Sequence, residues 1–166
     1  MNSQSKLTQN KKLRITSGIV LFLVVAISGF AYTQKVSPLS WGWWGPVNVD
    51  EGVAIGGYDP VAYFRSGTPV KGESKHQVSN NGVSWYFSSE ENKKLFELTP
   101  AKYQPQYGGF CAFATSKGFT AVSSPEAWHI EQNKLYLFND KNVRETWISE
   151  ISDGVIAQSD KNWKTH

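Results

Sequence analysis

Twenty consecutive residues, Ile15 to Gln34, carry no charge. As a helix such a run extends about 30 Å, the thickness of a bilayer core. Lys6, Lys11, Lys12 and Arg14 precede it, with no acid among them. Basic flanks stay on the cytoplasmic side, so the chain after about residue 35 is directed across the membrane. Two readings of the run stand. One is an uncleaved anchor over residues 15–34. The other is a secretory signal cut near Ala31, with a mature chain starting near Tyr32. The run exceeds the roughly 7–15 apolar residues of an ordinary signal, which favours the anchor. Trp41, Trp43 and Trp44 follow within ten residues. Indole rings favour the headgroup zone, so these three are candidates for membrane-interface contact. A hydrophobic lid on the domain itself is the alternative.

This divides the chain into a basic cytoplasmic segment (1–14), a transmembrane or signal-anchor helix (15–34), a Trp/Pro/Gly linker (35–51) and a folded domain (52–166). The formal charge of +3 comes from the N-terminal basic cluster. Beyond residue 14 the acids outnumber Lys and Arg by one. No basic stripe interleaved with aromatics runs through that part, which argues against nucleic-acid binding. A single cysteine, Cys111, excludes an intramolecular disulfide. Aromatic residues make up 14% of the chain, enough to build a ring-lined cleft as well as a core.

The folded part reads as two β-hairpin–helix units. Residues 76–79 form a strand, Asn81-Gly82 a type I′ turn, and Val83, Trp85 and Phe87 alternate with polar neighbours on a return strand. Ser88 or Ser89 caps a helix that carries Glu90 and Glu91 in its first turn and stops at Pro100. About 51 residues on, Trp128 and Ile130 alternate with His129 and Glu131, and Gln132-Asn133 takes the turn. Leu135 and Leu137 face opposite to Tyr136 and Phe138. Asn139 or Asp140 caps a helix closed by Asp153-Gly154. Gly56-Gly57-Tyr58 echoes Gly108-Gly109-Phe110. The two units imply one small α+β domain, because neither could bury both faces of its hairpin alone.

Several motifs in order resemble the YHS domain and the exported bacterial proteins that carry it. They are Gly57-Tyr58-Asp59-Pro60-Val61-Ala62-Tyr63-Phe64, the run from Gly82 to Phe96, and Pro100-Ala101-Lys102-Tyr103. Gln104 to Ala112, Pro125 to Trp128, Lys134 to Leu137 and Asn162-Trp163 continue the likeness. Many such domains are similar to TRASH-type modules for copper and other soft metals. That resemblance implies thiolates after Asp-Pro-Val, after Tyr-Phe and at the fourth residue beyond, because soft cations prefer sulfur donors. Here Ala62, Ser88 and Asn92 occupy those positions.

Cys111 is the foremost chemical candidate. Gly108-Gly109 ahead of it allow a tight turn, and a thiol after such a turn can serve as nucleophile, redox group or ligand. A buried small hydrophobe is the alternative. His129 and His76 each lie on a strand. A Cys111–His129 pair would suit a Cu(I)-like metal or an activated thiol. Tyr107 and Phe110 are candidate ligand contacts beside the thiol. His166 is expected to fray, and Asp59 to shape a turn. No Walker loop, His-Glu-x-x-His, Gly-x-Ser-x-Gly or Cys-x-x-Cys occurs.

The leading expectation is a non-enzymatic binding module on the outer face of a bacterial inner membrane, with a periplasmic C-terminal domain. Its ligand would be a copper-like metal or a small apolar molecule. A single-cysteine redox enzyme centred on Cys111 is one alternative. A structural accessory docking on a membrane-protein partner through its tryptophans is the other.

Overall fold

Two antiparallel hairpins organise the domain. The computed structural model describes residues 19–166. The basic segment 1–14 and residues 15–18 of the apolar run lie outside the described residues. The chain divides into two units, one ending at Lys35 and the other running from Val36 to His166. In the first, residues 19–33 form a helix, α1, with exposed apolar side chains such as Phe22 and Val25. No helix among the described residues is long and apolar enough to cross a membrane.

The second unit is α+β. Its first hairpin pairs β4 (Glu73–Asn80) with β5 (Val83–Phe87), and its second pairs β7 (Ser124–Glu131) with β8 (Lys134–Phe138). Asn81-Gly82 and Gln132-Asn133 make the turns, each with both residues at positive φ. Each hairpin is followed by a helix, α3 (Glu90–Leu98) and α6 (Lys141–Ser149). Ser89 Oγ accepts from the Asn92 N–H, and Asp140 accepts from the N–H groups of Asn142 and Val143, so both helices begin on side-chain caps.

The two halves repeat one plan closely. Glu73 pairs with Phe87 and Gln77 with Tyr86, with a bulge between them. Ser124 pairs with Phe138 and Trp128 with Leu137, with a bulge at the same place. Ile55, Gly56 and Gly57 share the positive φ of Tyr107, Gly108 and Gly109. A short helix follows each triplet, α2 (Ala62–Arg65) and α5 (Ala112–Ser116).

Strand β8 is the wall between two cores. Leu135 and Leu137 join Ile55, Val61, Tyr63, Trp85, Phe87 and Phe96 on one side. Tyr136 and Phe138 join Tyr107, Cys111, Trp147 and Val155 on the other. Each such side chain contributes about 1.5–3 kcal/mol on burial, so both halves depend on this one strand.

The segment expected as a linker belongs to the domain. The short strands β1 (Ser37–Pro38) and β6 (Phe119–Thr120) pair, as do β2 (Val49–Asp50) and β3 (Val53–Ala54). Leu39 is buried, and the Asn48 amide donates to the Gly109 carbonyl. Gly and Pro in this segment serve turns within the fold, which composition alone reads as a spacer. Gly154 does not close α6. It starts a further helix, α7 (Val155–Trp163), which packs Val155 and Ser159 into the second core. His166 is docked and not frayed: its ring nitrogens lie 3.2 Å from the Leu39 carbonyl and 2.6 Å from that of Gly45.

Candidate functional site

The first half is knotted around one carboxylate. Asp59 has no exposed surface. Its Oδ1 accepts from the N–H groups of Val61 (2.8 Å) and Ala62 (3.3 Å), at the start of α2. Its Oδ2 accepts from the Ser88 N–H (2.9 Å), the Ser88 hydroxyl (2.6 Å) and the Asn92 amide (2.7 Å). The Asn92 carbonyl oxygen in turn accepts from Arg65, which also pairs with Glu91 at 2.9 Å. Asp59 thus joins the α2 entry to the β5–α3 junction. The three positions where the resemblance called for thiolates, 62, 88 and 92, all bond to this carboxylate.

A cleft of about 590 Å³ lies at the turn end of the first hairpin. The loop from the short helix α4 (Pro100–Tyr103) to Gly108 forms one side, and Pro46, Val47 and the end of α7 complete it. Trp85, Tyr107 and Trp163 supply rings; Asn80, Gln104 and Asp160 supply polar groups. Gln104 donates to the Asn80 side-chain oxygen at 3.1 Å, and the Tyr107 hydroxyl donates to Asp160 at 2.9 Å. Burial first, and then the Asp160 carboxylate, hold the Tyr107 phenol far above its ordinary range. Tyr107 sits at φ 54°, a strained conformation for a residue with a side chain. A Cβ on Gly108 would lie 2.0 Å from the Pro46 oxygen, so only glycine lets that segment close over the loop. A second depression of about 450 Å³, beside Lys117, Glu150 and Lys161, has no aromatic lining.

The YHS domain family model matches residues 61–107. The chain carries a YHS domain. No curated protein and no solved structure matches the chain.

A soft metal does not fit the YHS position as built here. Ala62 offers no donor atom. The Ser88 hydroxyl and both Asp59 oxygens are engaged, and the Asn92 oxygen faces the Arg65 guanidinium. Soft cations need thiolate or imidazole ligands. No three His, Cys, Asp or Glu side chains cluster as a metal site among the described residues.

Cys111 occupies the matching place in the second half, 52 residues after Asp59. The backbone N–H groups of Ala114, Asn139 and Phe113 face its thiol, as those of Ala62, Ser88 and Val61 face Asp59. The thiol lies 3.9 Å from the Asn139 side-chain oxygen. Cys111 is only 2% exposed, and burial pushes its thiol up despite those N–H groups. It packs as a core residue.

The remaining candidates are scattered. His129 pairs across the hairpin with Tyr136 and lies 3.4 Å from Glu131; no hydrogen bond joins it to Cys111 among the described residues. His76 lies 3.3 Å from Glu90 on the other hairpin. Phe110 is fully buried. Of the expected ligand contacts, Tyr107 alone lines the aromatic cleft. Trp41 and Trp43 are exposed with ring centroids 4.4 Å apart, whereas Trp44 is half-buried. Sequence reasoning passed over Trp85, Gln104, Asp160 and Trp163. The available signal was the density of amides and rings in Asn80-Asn81 and Tyr103-Gln104-Pro105-Gln106-Tyr107.

Proposed function

We propose that this chain is an exported, membrane-tethered binding module that takes a small organic ligand in the cleft on its YHS hairpin, and that it is not an enzyme. The observation that carries the reading is the origin of the lining. Most of it, from Asn80 to Tyr107, comes from within the YHS match, while the three positions where the resemblance implies thiolates are closed on Asp59. A concave site of roughly 300–1,000 Å³ with aromatic walls and a few convergent polar groups is the usual form of a small-molecule site. The uncharged run 15–34 behind four basic residues supports the tether. The exposed Trp41–Trp43 pair supports contact with the headgroup zone just beyond it.

Fractionation and native mass spectrometry of the full chain test this together. The expected result is full-length protein that stays in membranes after a high-salt wash. It should carry no stoichiometric metal and should show an organic adduct that is lost in Gln104→Ala. Soluble protein starting near Tyr32 would overturn the anchor and leave export standing. Stoichiometric copper would overturn the ligand class.

A second reading rests on the same tryptophan pair. Two adjoining, exposed indoles also suit a membrane-protein partner, and loss of a co-purifying protein in Trp41→Ala/Trp43→Ala would favour it.

A further inference from the structure

We infer that the ligand of the cleft is a neutral, hydroxyl-rich ring, a mono- or disaccharide. This deepens the reading of the cleft as the working surface and rests on it.

The lining has the two chemistries a pyranose presents. One face of such a sugar is a plate of C–H groups, and its rim is a ring of hydroxyls. Trp163 is half-buried and stands edge-on to Tyr107, with ring centroids 5.9 Å apart. The exposed part of Trp163 gives the cleft an apolar wall beside Tyr107. Opposite stand amides. A hydroxyl both donates and accepts, and so does a primary amide. The bond between Gln104 and Asn80 uses one donor hydrogen of the first and the oxygen of the second. It orients the pair and leaves the Gln104 oxygen and the Asn80 NH2 group for a ligand. Asn81 and Gln106 extend the same amide lining.

Charge selects among polar ligands. Asp160 and Lys164 are the charged residues of the lining, with opposite signs. Asp160 is also bound to the Tyr107 hydroxyl. A phosphate, a carboxylate or an organic cation would therefore enter without a net counter-charge. Such a ligand would lose hydration that the site does not replace. A purely apolar molecule would strand the amides unpaired, at similar cost.

Saturation-transfer NMR on the full chain in phosphatidylcholine nanodiscs tests the assignment. The probes are a panel of neutral mono- and disaccharides, with indole and inorganic phosphate as counter-probes. At least one sugar should bind, with transfer strongest to the C–H groups of one ring face. Affinity should fall tenfold or more in Trp163→Ala and in Gln104→Ala. Glu97→Ala, on the exposed face of α3, should change nothing. Indole binding that Gln104→Ala or Trp163→Ala weakens, with no sugar binding, would overturn the ligand class and leave the cleft reading intact. No binding by any probe would overturn both. Sugar binding indifferent to Gln104→Ala and Trp163→Ala would place the site elsewhere and overturn the proposal.

Discussion

Replacing Asp59 by asparagine keeps the shape of the side chain and exchanges one acceptor oxygen for a donor. If the new amide faces α2, the N–H groups of Val61 and Ala62 lose their acceptor. If it faces the hairpin, the Ser88 N–H and the Asn92 amide lose theirs, although Asn92 can fall back on the Ser88 hydroxyl at 3.3 Å. At least one and up to two buried donors are therefore stranded, each at about 1–3 kcal/mol. The expected loss is about 3–4 kcal/mol, a large share of the roughly 5–15 kcal/mol that stabilises a domain. Urea unfolding followed by tryptophan fluorescence measures it, and the midpoint should fall with the slope unchanged. Asp140→Ala is the comparison. It removes an exposed helix cap and should cost about 1 kcal/mol. Asn92→Ala, which removes one bond to the carboxylate, should fall between the two and serves if Asp59→Asn does not fold. An Asp59→Asn chain within about 0.5 kcal/mol of wild type, the scale of an ordinary surface change, would refute the clamp.

Other outcomes follow from the same structure. Cys111 should resist alkylation until the domain unfolds. Cys111→Ser should cost about 1 kcal/mol, because a hydroxyl still meets the three N–H groups, whereas Cys111→Leu should cost about 1–3 kcal/mol or more through overpacking. With its thiol pushed up by burial, Cys111 stays protonated in the fold at pH values where the unfolded chain ionises. Its contribution is intact below about pH 8.5 and declines as pH rises further. Tyr136, pushed up to about 12 by burial, adds the same trend above about pH 10; thermal melts across that range check the sign. Gly108→Ala should destabilise by several-fold more than Gly82→Ala. Both sit at positive φ, but a Cβ at 108 meets the Pro46 carbonyl, whereas at 82 it meets nothing within 4 Å.

Much of this fold was legible because local rules carried it. Asn81-Gly82, the Ser89 and Asp140 caps, and the alternation at Leu135–Phe138 each state a short-range requirement, and each is met. Helix α7 was missed because its sequence, Val155 to Trp163, follows an Asp-Gly stop signal and is mostly polar; two buried residues, Val155 and Ser159, fix it to the core. The 36–51 segment was missed for a similar reason. Its strands are two residues long and exist through partners some 80 residues away or across a tight turn. The site was less legible than the fold. Asp59 read as a turn former, and its bonds to the α2 N–H groups match that. Its reach to Ser88 and Asn92 depends on the hairpin returning beside it, which spacing does not reveal. The equivalence of Asp59 and Cys111 was within reach, since the Gly-Gly echo already set the 52-residue offset. Following that offset two residues further would have paired the thiol with a structural clamp.

The account turns on a hydrogen-bonded clamp occupying the three positions where the resemblance implies thiolates. Cu(I) titration against a chromophoric competitor, on the full chain beside Ala62→Cys/Ser88→Cys/Asn92→Cys, tests this directly. Wild type should compete with no more than weak, non-stoichiometric uptake, and the three-thiol variant should gain a one-to-one site, because thiolates would then converge where Asp59 now gathers its donors. Stoichiometric Cu(I) binding by the wild type, lost in Asp59→Asn or Cys111→Ser, would contradict the account.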